Sequence, residues 1–279
     1  MVQVTEKVNT TKKIKKEVKK PKERKITWNN IKKQKCLIAM SLPFVIWVII
    51  FKYLPLAGWT MAFQDYKPQN GFLDQTWVGF KHFITLFKED QFYQALQNTL
   101  GMSILGLVFG TIASITFALL LNEIRSSKFK RTAQTISYLP HFISWVVAAS
   151  LVTNMLSSSG IVNEILMKFN LIDTPIQFMS TPSMFWGVVT ASDVWKEMGW
   201  NAIIYLAAMT AIDPELYNAA KVDGAGRFRQ MFSITLPSIK STVLVLLIMS
   251  IGNLINIGFE KQMLLGNPIV ASKSLVIDK

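Results

Sequence analysis

The chain has 279 residues, 51% of them hydrophobic and 17% charged, with 30 Lys and Arg against 17 Asp and Glu for a formal net charge of +13. That apolar content, with a mean hydropathy of +0.32, is too high for a soluble domain of this length and too extensive for one anchor, so the composition specifies an all-α polytopic membrane protein. A single cysteine, Cys36, and two histidines, His82 and His141, exclude a disulfide framework, a multi-cysteine metal site and a His cluster, so no metal site is expected.

Residues 1–35 carry 13 Lys and Arg against 3 Asp and Glu, +10 of the total +13. The charge is a tail rather than a groove. Runs such as Lys12-Lys13-Ile14-Lys15-Lys16 lack a packed apolar face and accompanying aromatics, which fits a disordered cytoplasmic extension touching anionic lipid and argues against nucleic-acid binding. The remainder, 36–279, reads as one transmembrane domain.

The first span is expected at 37–62, running outward from a cytoplasmic N-terminus and disturbed near its far end by Lys52, Pro55 and Gly58. No small-residue cleavage site follows it, so it is expected to remain as a helix. Residues 64–92 then read as external. The second span, 95–121, returns inward, where Arg125, Lys128, Lys130 and Arg131 outnumber Glu123. A third is expected as one helix over 132–156, carrying Pro140 and Trp145. Beyond it, Ile161, Ile165, Leu166 and Phe169 fall on one face of a short interfacial helix.

The fourth span, 183–212, holds Asp193, Lys196 and Glu197 roughly 15–20 Å from its start, near mid-bilayer. Ionisable groups at that depth pair or face water. Asp193 and Lys196, three residues apart, can form an ion pair on one helix face or line a hydrated path. Trp195 and Trp200 beside them suit stacking on a sugar ring, or simply packing. Trp145, Asp193, Trp195, Lys196, Glu197 and Asn201, with Asn253 and Asn256 of the next span, make up the candidate substrate pathway.

Residues 213–237 form a polar interruption between apolar runs. Asp213 is placed to cap a helix, Pro214 to take its first position and Glu215 to favour its positive end, while Gly224 and Gly226 end it after Asp223. Leu216, Ala219, Ala220 and Asp223 share a stripe whose alanines admit close approach by another surface. A second short piece is expected over 227–233, with Pro237 marking entry to the fifth span, 238–258.

The run Asn218-Ala219-Ala220, three residues, Gly224, nine residues, Ile234, one residue, Leu236-Pro237 resembles the EAA loop of binding-protein-dependent ABC importer permeases. Asn218 stands where that motif usually has glutamate. Ile212 to Tyr217 and Asp223 to Ala225 are similar to the carbohydrate-uptake branch, and Phe51 to Pro68 resembles permeases for complex oligosaccharides. The resemblance covers about 36–279 and implies an ABC importer permease fold, with Glu215, Asn218, Ala219, Ala220, Asp223, Gly224, Ile234, Leu236 and Pro237 coupling the chain to an ATPase. It implies a final sixth span as well. Five are read here, and truncation before the sixth is the expectation.

The function so implied is a permease subunit in a bacterial cell membrane, importing a carbohydrate of the oligosaccharide class. Its partners would be two ABC ATPase subunits, a second permease and an extracellular solute-binding protein. No P-loop pattern occurs, so the chain is expected to be no enzyme and to bind no cofactor, with ATP and Mg used by the partner ATPase. The alternatives are a permease for a non-sugar solute, or an intramembrane proton-coupled carrier or enzyme using Asp193, Lys196 and Glu197.

Overall fold

A computed structural model describes residues 34–71 and 74–277; most of the basic tail lies outside them. The chain divides into two compact units, residues 1–83 and 84–279.

In the first unit, helix α1 (Lys35–Phe63) has 29 residues, more than the roughly 20 needed to cross a hydrocarbon core. It is α-helical to Val48, widens to π geometry over Ile49–Tyr53 and tightens to 3-10 geometry over Leu54–Phe63. Pro55 lacks an N–H and its ring crowds the preceding turn, which accounts for a change of helix type there. None of its side chains is buried in the unit. Strands β1 (Gln64–Asp65) and β2 (Thr76–Trp77) pair antiparallel. The turn between them is held by the buried Gln75 amide, which donates to the carbonyls of Lys67, Asn70 and Gly71 and accepts from the Lys67 N–H at 2.8 Å.

The second unit is built on two long helices, α2 (Asp90–Glu123) and α6 (Pro182–Thr210). Inside a membrane apolar burial does not drive helix association, so close packing and polar contacts must do so. Small residues provide the close approaches. A Cβ on Gly101 would lie 2.5 Å from the Trp186 ring, and one on Gly199 would collide with the Ser137 main chain. One apolar cluster joins Ala118, Leu119 and Leu121 of α2 to Ala202, Tyr205, Leu206 and Met209 of α6. Another gathers Met102, Ala149, Phe185 and Val189 with Leu265, Val270 and Val276.

The stretch expected as one third span is two helices, α3 (Ser127–Phe142) and α4 (Trp145–Met155), meeting at 105°. Pro140 removes a hydrogen-bond donor from the last turn of α3, Ile143 and Ser144 are extended, and the Ser144 hydroxyl accepts the Val147 N–H to start α4. The short helix expected after the third span is α5 (Ile161–Lys168). Its apolar residues Ile161 and Ile165 are exposed, as is Phe169 just beyond it.

After α6 come α7 (Pro214–Val222) and α8 (Arg227–Ser238), the latter passing through a π turn over Met231–Thr235. The second piece thus runs past its expected end and includes Pro237. A 57° bend at Ile239 leads into α9 (Lys240–Gly252). This helix stops short of the expected 258, so Asn253 is its C-cap and Asn256 lies beyond the helix in a turn. Helix α10 (Phe259–Leu265) packs on α4 and α6, and the segment after it to 277 folds back on α2 and α6. Asn98 donates to the carbonyls of Ser272 and Leu275, both at 2.9 Å, and the Ile277 N–H donates to the Thr99 hydroxyl at 3.0 Å.

Among the described residues α1 and α2 are each long and apolar enough to cross a membrane, and the bent pairs α3/α4 and α8/α9 reach that standard when taken together. Helix α6 has 29 residues and carries Asp193, Lys196 and Glu197 in its middle.

Candidate functional site

Two places carry chemistry: the α7/α8 loop and a polar cavity beside the middle of α6.

The loop is specified locally. The Asp213 carboxylate accepts the Glu215 N–H at 2.9 Å and Pro214 occupies the first turn. At the other end Gly224 has φ +73°, the Ala225 N–H bonds to the Ala220 carbonyl at 2.8 Å and the Gly224 N–H to that of Lys221 at 3.1 Å. These two bonds form a Schellman motif, which requires a left-handed residue where glycine stands. The Tyr217 hydroxyl bonds to the Thr235 hydroxyl at 2.9 Å and the Gln230 amide donates to the Ala225 carbonyl, tying α7 to α8. Glu215, Asn218, Ala219, Asp223, Gly224 and Pro237 are exposed, while Ala220, Ile234 and Leu236 are half-buried. Large apolar groups stand out beside them, with Val222 89%, Phe228 76% and Phe232 61% exposed.

The cavity, of about 320 Å³, lies between α2, α6 and the α9–α10 turn. Its polar lining includes Asp193, Glu197, Asn201, Asn253, Asn256 and Lys261. Of the two alternatives open for Asp193 and Lys196, an ion pair between them or a place on a hydrated path, the pair does not form. Asp193 instead accepts a hydrogen bond from the ammonium of Lys261 on α10, while Lys196, 5% exposed, donates to Glu197 at 3.3 Å and to the His141 carbonyl at 2.8 Å. His141 also bonds through Nδ1 to Glu197 at 2.7 Å and stacks on Trp200 with ring centroids 4.4 Å apart.

The break between α3 and α4 makes this arrangement possible. In an unbroken helix the His141 carbonyl would accept the Trp145 N–H; the turn at Ile143–Ser144 frees it for a buried ammonium. Burial of that charge is tolerable because it is both paired and hydrogen-bonded.

The expected pathway residues separate into two groups. Asp193, Glu197, Asn201, Asn253 and Asn256 share the cavity, the two asparagines reaching it from the turn rather than from a span. Trp145 lies under the ammoniums of Lys196 and Lys261, 5.6 and 5.9 Å from its centroid, so its face is occupied by cations. Lys196 is buried and is not among the residues that line the cavity. Trp195 faces elsewhere, into an apolar groove of about 560 Å³ with Leu151, Met155, Val162 and Met184. Lys261 and His141 are additions that sequence reading missed. A lysine just past the expected fifth span, and a histidine next to Pro140, were the signals available. Among the described residues no group of three or more His, Cys, Asp or Glu could hold a metal ion.

Comparison with known proteins gives a consistent picture. Residues 106–272 match the family model "Binding-protein-dependent transport system inner membrane component". The polygalacturonan/rhamnogalacturonan transport system permease protein of Bacillus subtilis is 46% identical over 249 residues, covering 89% of this chain and 77% of that protein. The arabinooligosaccharides transport system permease protein of Halalkalibacterium halodurans is 33% identical, covering 75% of this chain and 65% of that protein. Among solved structures, a bacterial ABC transporter involved in the import of the acidic polysaccharide alginate matches with a TM-score of 0.81 and 42% identity, covering 90% of this chain and 84% of that one. The alginate transporter in complex with a periplasmic protein bound to an alginate pentasaccharide matches with a TM-score of 0.80.

Proposed function

The chain belongs to the inner membrane components of binding-protein-dependent transport systems, and from that premise we propose that it is a permease subunit of an ATP-driven importer carrying oligosaccharide into a bacterial cell. The observation that carries the mechanism is the exposed α7 stripe of Leu216, Ala219 and Asp223, held rigid by its cap, its Schellman turn and the Tyr217–Thr235 bond. A short helix of this kind, fixed at both ends and small-faced, docks into a cleft of an ATPase subunit. Glu215, Asn218, Ala220, Gly224, Ile234, Leu236 and Pro237 shape or support the docked surface.

Two ATPase subunits would bind and hydrolyse ATP with Mg, and this chain would contribute no catalytic residue. A second permease completes the path, and an extracellular binding protein delivers the sugar. The N-terminus lies in the cytoplasm together with the loop, because the tail, the basic turn from Arg125 to Arg131 and the loop share the side that positive charge favours. ATP-driven closure of the ATPases moves α7, and α6 and α9 on either side of the loop carry that movement to the cavity. The docked helix is thereby the differential contact that biases a two-state transporter.

A proton-coupled carrier or intramembrane enzyme would need a free acid or base. Asp193 and Glu197 each already hold a cation partner, which favours a pathway role instead. The test is uptake of labelled arabino- and malto-oligosaccharides into vesicles bearing the assembled system. Uptake that requires ATP and the binding protein is expected; uptake driven by a proton gradient without ATP would contradict the reading.

A further inference from the structure

We propose that the open face of α3 holds an anionic phospholipid of the cytoplasmic leaflet, its headgroup on Arg125, Lys128 and Arg131 and an acyl chain along Ile136, Leu139 and Phe142. Helix α3 gives one face to the protein. Ser137 meets Gly199, His141 bonds to Glu197, and Ala133 packs against the cluster that holds Met209 and Met231. Its other face is bare: Lys128, Thr132, Ile136, Leu139 and Phe142 recur at helical spacing and all are exposed. The stripe is basic at one end and apolar at the other. The choice of leaflet rests on the orientation proposed above, since Ile124 and Ala133 tie the start of α3 to the same cluster as Met231 of α8.

Charge and length identify the occupant. Arg125, Lys128 and Arg131 are exposed, and among the described residues no carboxylate pairs with them, not even Glu123 close by in the chain. Unpartnered cations at the end of a span attract an anionic headgroup, each adding to the attraction. From Lys128 to Phe142 the helix rises about 21 Å, which matches the roughly 20–22 Å of one leaflet with its headgroups. The stripe stops where a leaflet would, at the 105° turn into α4. A phospholipid carries its groups in the order this face presents, an anion and then hydrocarbon. A free phosphate would engage the cations and leave the apolar residues bare.

Phosphatidylglycerol with a diazirine in its acyl chain tests this against phosphatidylcholine with the same chain. Each probe is added to inside-out and to right-side-out vesicles bearing the assembled complex, and after irradiation the labelled peptides of this chain are mapped. In inside-out vesicles the anionic probe is expected to label Ser127–Phe142 at least about fivefold more than the neutral one. Lys128→Gln combined with Arg131→Gln should cut the anionic labelling there at least about threefold and leave the neutral labelling unchanged. Lys168→Gln on α5 should change neither. Equal labelling by the two probes, labelling confined to other helices, or anionic labelling that persists in the double variant overturns the proposal. Each of these leaves the importer reading standing, because neither the α7 contact nor the cavity depends on lipid charge. Labelling of α3 only in right-side-out vesicles overturns both the proposal and the orientation on which it rests. The comparison of probes in the unmodified complex decides the matter even where the double variant does not assemble.

Discussion

The Lys196 ammonium donates to the His141 carbonyl across 2.8 Å, and that carbonyl is available only because α3 ends at Phe142. A helix break in one element thus creates the acceptor for a buried charge in another.

Replacing Lys196 with Met should leave the Glu197 carboxylate and the His141 carbonyl without their shared donor. Removing one partner of a buried ion pair costs roughly 3 kcal/mol. The expected outcome is a clear fall in the temperature at which the detergent-purified complex loses its monodisperse form, with membrane insertion retained. An unchanged temperature would show that water replaces the ammonium without penalty.

Gly199 faces the Ser137 main chain so closely that any Cβ collides with it. Backbone cannot move aside as a flexible side chain does, so Gly199→Val should separate α3 from α6 at a cost of about 3 kcal/mol or more. Heating the purified protein and following its aggregation measures this. Gly187, on the same helix with open space around it, should tolerate alanine in the same assay.

Tyr217→Phe removes the hydroxyl that joins α7 to α8 through Thr235. The loss should be about 1 kcal/mol, felt locally. Amide hydrogen exchange over Pro214–Val222 is expected to quicken several-fold while exchange in α2 and α6 stays unchanged.

Gly224 has open space where a Cβ would go, but its φ of +73° is the constraint. A β-branched residue there costs about 1–2 kcal/mol and disfavours the docked form by about tenfold. Gly224→Val should therefore keep ATP hydrolysis by the assembled system while uptake falls by a similar factor. Uptake coupled to hydrolysis as before would contradict the role given to the turn.

Local chemistry was readable in the sequence and long-range chemistry was not. Asp213-Pro214 and Gly224 state their own conformations, since a cap, a first-turn proline and a left-handed glycine depend only on near neighbours. The end of α9 was misplaced because Asn253 to Ile257 are compatible with a continuing apolar helix until the chain turns toward α10. Pro140 signals a disturbed helix without saying whether it kinks or stops; the stop depends on Ser144 capping α4. The Asp193–Lys261 pair joins residues 68 positions apart, and nothing near Asp193 in the sequence points to α10. Lys196 at three residues was the nearer candidate, but it turns to the freed carbonyl of His141 instead.

The central claim is that α7 docks this chain onto an ATPase, and a pull-down from detergent-solubilised native membranes tests it most directly. The unmodified chain is predicted to bring down an ATPase subunit and a second permease. Ala219→Trp, which adds bulk to the exposed stripe without touching the cavity, is predicted to keep the permease and lose the ATPase. Recovery of the ATPase with that variant in undiminished amount, or its absence with the unmodified chain, would contradict the account.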